Sequence, residues 1–296
     1  MKNHIKKISQ NLNSKFYFDF DMSKSVWLRA GGKAFIYCLV YDVNELKIIL
    51  KEIGDFPFDV IGAGSNLLIR DRGFNGIIFK LGKEFNKINI CERSVNVGAG
   101  ILDTNLSKFA AKNNIKNFEF YSGIPGSIGG AIKMNAGCYG FETKDVIKEI
   151  KFINNKGELI NYSKDQINFD YRKSNFPANS IIISAKFDCL YGNKEEIHSI
   201  IKNIRKIREN SQPIKSKTSG STFKNPKNNI AAKLIEQSGC KGLQVGDVIV
   251  SEKHANFLIN LNKASASEIE DLGSMIIEKV YDKFNIKLEW EIKIIG

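Results

Sequence analysis

The stretch SGIPGSIGGAIKMNAGCYG, residues 122–140, places six glycines in nineteen residues. Such a density constrains the backbone in one of two ways. Either it makes several left-handed turns, or something large lies close against it. Gly123, Gly126, Gly129 and Gly130 fall within eight residues, and Pro125 fixes one φ angle among them. A second segment, VIGAGSNLLIRDRGFNG at 60–76, begins as a buried strand and breaks at Gly62, Ala63 and Gly64. Ser65 and Asn66 then offer N–H and side-chain donors. A nest of backbone donors suits a diphosphate. No GK[ST] follows, so this is not a P-loop, and GAGSNL lacks the third glycine of the dinucleotide fingerprint. Alone, 60–76 serves equally well as a plain hairpin turn, and 122–140 as a crossover loop under a sheet. Two donor-rich segments about sixty residues apart in one lobe are better explained by one long ligand with a diphosphate in its middle. FAD has that shape.

The rest of the chain limits the classes open to it. At 296 residues it is long enough for two lobes. The formal net charge is +12, but the lysines are dispersed singly or in pairs. They read as solvated surface with a bias toward anionic ligands. A nucleic-acid binder would cluster them among exposed aromatics. No apolar block follows the N-terminal lysines and no run approaches bilayer length, so neither a signal peptide nor a membrane span is expected. Cys38, Cys91, Cys138, Cys189 and Cys240 are odd in number and form no CxxC pair. That argues for a reducing, cytoplasmic setting and against disulfides or a metal site.

Periodicity predicts strands over 34–40, 58–64, 75–81, 94–100 and 180–191, a hairpin over 149–163 and helices over 43–53 and 102–114, behind a polar N-terminal arm. Beyond these come helices over 194–210, 230–239 and 265–284, paired strands over 247–260 and a final strand over 287–295. Ser265 and Glu268 fit a capping box. The fold class is α+β: a strand-rich lobe over 1–195, itself two α+β subdomains, and a smaller α+β lobe over 196–296.

VIGAGSNLLIRD, SGIPGSIGGAIKMNAGCYG, YRKSNF, SGSTFKNP and LEWEIKIIG occur in an order that resembles the UDP-N-acetylenolpyruvoylglucosamine reductases, from SVWLRAGGKA (25–34) to the last residue. The resemblance implies an FAD-binding fold of the vanillyl-alcohol oxidase class over 1–195 and a substrate-binding domain over 196–296. It implies non-covalent FAD held by Gly62, Ala63, Gly64, Ser65 and Asn66 and by Ser122, Gly123, Ile124, Pro125, Gly126, Gly129, Gly130 and Ala131. NADPH is then the co-substrate, and UDP-N-acetylglucosamine enolpyruvate is reduced to UDP-N-acetylmuramate for peptidoglycan. NADPH and substrate bind alternately, in a protein expected to be a monomer with no nucleic-acid or membrane partner.

The resemblance assigns Ser221 as proton donor, Arg172 as catalytic arginine and Glu291 as catalytic glutamate. Spacing alone does not separate Glu291 from Glu289, which shares its strand face. The family pattern LEPEVR reads LEWEIK here, with Trp290 for proline and Lys293 for arginine. Asn225, Lys215, Lys217 and His254 are the expected substrate contacts. About fifty residues separate Arg172 from Ser221, which leaves little room for the tyrosine-loop insertion of the longer family type. Another FAD-dependent oxidase of the same fold is the alternative. The absence of histidine near 62–66 or 122–140, the place for covalent flavin attachment, weighs against it.

Overall fold

The computed structural model describes residues 1–296. Its first two elements depart from the sequence reading. The expected polar arm is a helix, α1 (Lys2–Ser9), and a strand, β1 (Lys15–Asp21). Ile5 is the one side chain that α1 buries, too little apolar periodicity to announce a helix. β2 (Lys33–Val40), α2 (Val43–Ile53) and β3 (Phe58–Ile61) follow. In α2 the residues Leu46, Ile49, Leu50 and Ile53 line the buried face, and Asp42 caps its start by accepting from the Glu45 N–H at 2.9 Å. Next come β4 (Leu67–Ile69), β5 (Phe74–Leu81), β6 (Ile88–Cys91), β7 (Ser94–Gly98) and α3 (Asp103–Lys112).

The glycine-dense stretch contains a short helix, α4 (Ile128–Lys133), and the first strand of a tight pair, β8 (Gly137–Cys138) with β9 (Phe141–Glu142). β10 (Ile147–Ile153) and β11 (Leu159–Ser163) form the expected hairpin, turning at Gly157 with φ +79°. β12 (Phe169–Asp170), β13 (Lys173–Ser174), β14 (Ile181–Asp188) and α5 (Lys194–Ser211) complete this part. The remainder is α6 (Ala231–Gln237), β15 (Gln244–Val245), β16 (Val248–Val250), β17 (Leu258–Asn260), α7 (Ala266–Phe284) and β18 (Lys293–Ile295). The final strand is shorter than the predicted 287–295. Residues 289–291 leave the strand to bridge with the 222–224 segment, Phe223 opposite Trp290.

The chain forms two compact units. The first comprises Met1–Phe18, Ile36–Ala63 and Gly76–Lys206; the second comprises Asp19–Phe35, Gly64–Asn75 and Ile207–Gly296. The single boundary read at 195/196 differs from this division. The chain passes between units at five points, the last inside α5.

The first unit is built on two sheets. One has the order β1-β2-β5-β3, with β3 parallel to β5 and Ile61 opposite Lys80. The other is antiparallel, β11-β10-β14-β7-β6. Its register places Ile150 against Ala185 and Ala185 against Val97. α3 and the single turn Glu119–Gly123 bring Phe118 and Tyr121 to this core, where Phe118 meets the edge of Phe187 at 5.8 Å. The second unit packs α6 and α7 with β16 and β17 around Leu234, Ile235, Val248, Leu258, Ile269, Leu272 and Ile276. Its N-terminal segments supply Leu28, Ala30 and Leu68 to the same core. β4 pairs parallel with β18, Leu68 opposite Ile294. The capping box at α7 forms as predicted: the Glu268 N–H donates to Ser265 Oγ at 3.1 Å and the Ser265 N–H to Glu268 Oε2 at 2.8 Å.

Candidate active site

The two glycine segments meet inside the first unit. A β-carbon at Gly62 would overlap the Ser127 hydroxyl. Residues 99–103 run beside 126–129, with the Asp103 N–H donating to Gly126 O at 3.1 Å. The Ile128 N–H donates to Ile101 O at 2.9 Å, and the Gly129 N–H to Ala99 O at 2.9 Å. This contact explains much of the glycine density. A side chain at Gly126 would strike the Asp103 carboxyl, and one at Gly129 would sit 3.2 Å from the Ala99 β-carbon. A β-carbon at Gly123 would crowd Cys138, Tyr139 and Ile204. Three of these glycines therefore admit neighbouring chain, as the crossover-loop alternative for 122–140 requires. Gly130 is different: it is exposed, with nothing nearer to a β-carbon than Ser127 Oγ at 3.7 Å. Ser122 is buried and its hydroxyl has no protein partner. Ile124 and Pro125 are half-buried, and Ala131 is buried.

The 60–76 segment is not a hairpin. β3 lies in the first unit, and β4 pairs with β18 in the second. Between them Ala63 and Ser65 remain half-buried. Gly64 adopts φ +74° and its carbonyl accepts from the Trp27 N–H at 2.9 Å. Asn66 is committed to the C-terminal segment. Its Nδ2 donates to Glu291 O at 3.0 Å, and its carbonyl accepts from the Lys293 N–H at 3.2 Å.

Arg172 belongs to the first unit, at the tip of the β12–β13 hairpin with φ +53°. Left-handed backbone at a non-glycine residue is held only when its surroundings demand it. The hairpin is tied down at several points: Asn135 Nδ2 donates to Asp170 O at 3.1 Å and Ser174 Oγ to Lys133 O at 2.8 Å. The guanidinium stacks 4.9 Å above the Tyr171 ring and donates to Gly137 O at 3.2 Å. This anchors the arginine to the NAGCYG end of the glycine stretch.

Ser221 and Glu291 belong to the second unit, and backbone hydrogen bonds join their segments. Asn256 holds one side of the serine loop. Its carbonyl accepts from the Thr222 N–H at 2.8 Å, its Oδ1 from the Phe223 N–H at 2.9 Å, and its Nδ2 donates to Phe223 O at 2.8 Å. On the other side the Glu291 N–H donates to Thr222 O at 2.8 Å and the Lys224 N–H to Glu289 O at 2.8 Å. Thr218, Ser219 and Thr222 are buried, whereas Ser221 is half-buried. The structure thus separates the hydroxyls that the sequence alone does not. It separates the glutamates as well. Glu289 is exposed and pairs with Lys224 at 3.2 Å, while Glu291 is half-buried. Trp290 packs at a tilt against Phe223 with centroids 5.0 Å apart, and lies where a side chain at Gly273 would be.

Among the other expected contacts, Lys215 and Lys217 are exposed, and Lys217 donates to Asn262 O at 3.1 Å. Asn225 Oδ1 accepts from the Ala231 N–H at 2.9 Å, at the start of α6. His254 is half-buried against the Phe257 ring at 4.6 Å, and its Nδ1 accepts from the Asn256 N–H at 3.3 Å. Burial lowers its pKa, which keeps it neutral at physiological pH. The sequence reading missed Asn256 and Asn135. Both are buried asparagines whose amide groups satisfy backbone groups of distant loops, a role that leaves no local pattern.

The joined glycine segments, with Gly130 open beside Ser127, fit a dinucleotide such as FAD. Residues 36–163 match the family model described as FAD binding domain, and residues 212–295 match UDP-N-acetylenolpyruvoylglucosamine reductase, C-terminal domain. Together these define an FAD-dependent oxidoreductase. The reductase of Rickettsia conorii (strain ATCC VR-613 / Malish 7) is 40% identical over 279 residues, covering 94% of this chain and 95% of that protein. That of Wolbachia sp. subsp. Drosophila simulans (strain wRi) is 41% identical over 283 residues, covering 95% and 96%. The crystal structure of the Thermus caldophilus reductase superposes with a TM-score of 0.84 at 31% identity, covering 96% of this chain and 100% of that one. The chain belongs to the UDP-N-acetylenolpyruvoylglucosamine reductase family.

Proposed function

We propose that the protein reduces the enolpyruvyl double bond of UDP-N-acetylglucosamine enolpyruvate, with NADPH as reductant, to give the UDP-N-acetylmuramate used in peptidoglycan synthesis. Non-covalently bound FAD supplies the chemistry of accepting a hydride from one partner and passing it to the other. The protein must then bind the substrate carboxylate, stabilise charge developing beside it, and deliver a proton. Arg172 has the planar fork suited to a carboxylate, and the Gly137 carbonyl and Tyr171 ring fix its direction. Glu291 lies one residue past the bridge to the serine loop, where a protonated carboxyl would donate to the enolate. Lys215 and Lys217 offer positive charge to the substrate diphosphate. Asn225 and His254 act through the shape of the loops they fasten. The two reactants take turns at the flavin, and the enzyme works as a cytoplasmic monomer.

The observation that carries the proton-donor reading is the state of the hydroxyls over 218–222. Three are sealed in the interior, and Ser221 alone stays within reach of a ligand, on a loop clamped from both sides. The test is anaerobic stopped-flow absorbance. The enzyme is bleached with NADPH and then mixed with the enolpyruvate substrate. Wild type regains flavin colour without oxygen, and Ser221→Ala does so about 10² to 10⁴ times more slowly, the usual span for a lost general acid. Equal rates would remove Ser221 from the mechanism. Recovery only with oxygen would favour an oxidase of the same fold.

A further inference from the structure

Gly273 stands where a helix has no use for glycine. It is buried within α7, where alanine suits helical backbone better, and its own φ is not in the left-handed region. The three atoms nearest to a β-carbon built there all belong to the Trp290 indole, and the closest would overlap it. The glycine is a notch in α7 that the indole fills. The family pattern LEPEVR has proline where Trp290 stands, so this fit is a feature of the present chain.

The same indole packs against Phe223, two residues past Ser221. Trp290 is also the pivot of the bridge between the two segments. The Lys224 N–H donates to Glu289 O and the Glu291 N–H to Thr222 O, one on either side of it. Successive side chains of extended backbone face opposite ways. Leu288, Trp290 and Ile292 pack on the core of the second unit, which sends Glu289 and Glu291 to the other side. All of these residues belong to that unit.

We propose that Trp290, seated in the Gly273 notch, is a positioning residue for Glu291 and fixes the direction of that carboxyl relative to the Ser221 loop. The inference rests on the reading of Glu291 as the group that donates to the enolate. It adds the strut that holds the group in place.

The test separates the two half-reactions by anaerobic stopped-flow absorbance on holoenzyme. Bleaching by NADPH should match wild type in Trp290→Ala and Gly273→Ala. Recovery of colour with the enolpyruvate substrate should slow about tenfold in both, below the roughly 10²-fold cost of a 1 Å misplacement. Gly273→Ala guards against a failure of Trp290→Ala to fold, because it keeps the indole and favours the helix. Adding Trp290→Phe to Gly273→Ala should bring recovery back to within about threefold of wild type, since the shorter ring leaves room for the methyl group. In a Glu291→Gln background, Trp290→Ala should slow recovery by less than about twofold more, because a residue that acts through Glu291 has nothing left to position. A readout apart from activity is fluorescence in a Trp27→Phe background, where Trp290 is the remaining tryptophan. There Gly273→Ala should shift the emission to the red as the indole is pushed toward water. Wild-type recovery in Trp290→Ala and Gly273→Ala would overturn the proposal, as would full additivity with Glu291→Gln or equal slowing of both half-reactions. Each of those results leaves the reading of Glu291 standing. Wild-type recovery in Glu291→Gln alone would overturn that reading and the positioning role with it.

Discussion

Asp103 gives the structure its most quantitative consequence. It is wholly buried in the first turn of α3, and neither carboxyl oxygen has a protein partner. Gly126 packs directly on it, and the Ser107 hydroxyl one helical turn later is equally unpartnered. Burial disfavours the charged form and pushes the carboxyl pKa well above its ordinary range. The sign of the linkage follows. Once pH exceeds the carboxylate range of the unfolded chain, the folded chain still holds a proton that the unfolded chain has lost. Stability from this group is full below that range and falls as pH rises, by about 1.4 kcal/mol per pH unit, until the folded carboxyl itself ionises. Tyr121, the other titrating group coupled to Asp103, is also pushed upward by burial and stays protonated throughout.

The perturbation is Asp103→Asn, a neutral group of nearly the same shape. Urea unfolding at fixed FAD concentration between pH 4.5 and 7.5, read by far-UV circular dichroism, measures the difference between variant and wild type. That difference should move in favour of the variant by about 1.4 kcal/mol per pH unit, whatever its absolute value at the acid end. A pH-independent difference, or wild type gaining relative to the variant, would refute the protonated-acid argument.

Two further outcomes follow from the second unit. Glu291→Gln should lower turnover at least tenfold while Glu289→Gln leaves it within about twofold, measured as NADPH oxidation at saturating substrate, since only Glu291 is half-buried beside the serine loop. Asn256→Ala strands the buried Phe223 N–H and carbonyl and should cost about 2 to 4 kcal/mol in urea unfolding. The same variant should slow flavin reoxidation by substrate, because the loop carrying Ser221 loses one of its two clamps.

Elements with strong periodicity were legible because their buried faces repeat. α2 matches its predicted span, and α7 starts at the capping box that Ser265 and Glu268 announce. α1 was not legible, since one buried isoleucine sets no period. The 287–295 stretch looks uniformly extended, yet its first half bridges to Phe223 and only Lys293–Ile295 pairs with β4. Which strand pairs with which is decided by a partner more than two hundred residues away and leaves no trace in local alternation. The candidate site divides along the same line. Glycine density marked the segments around Gly62 and Gly126, but the chemistry of Arg172, Ser221 and Glu291 rested on resemblance, because one arginine or serine looks like another in a window of sequence. Gly273, Trp290 and Asp103 acquire meaning only when α7, the bridge to Phe223 and α3 bring them to their neighbours.

The parallel pairing of β4 with β18 also sets a timetable for synthesis. Leu67, Leu68 and Ile69 emerge from the ribosome early, and their partners Lys293, Ile294 and Ile295 are over 220 residues behind. At translation rates of roughly 5–20 residues per second, that wait lasts about 10 to 45 s. At its start the second unit lacks its closing strand, α6, α7 and the sequence that will shelter Leu28 and Leu68. The first unit completes earlier, at Lys206. The nascent chain therefore carries a finished half and an apolar, unpaired remnant of the other. Until the remaining residues are made, that remnant exposes apolar side chains which the finished core covers.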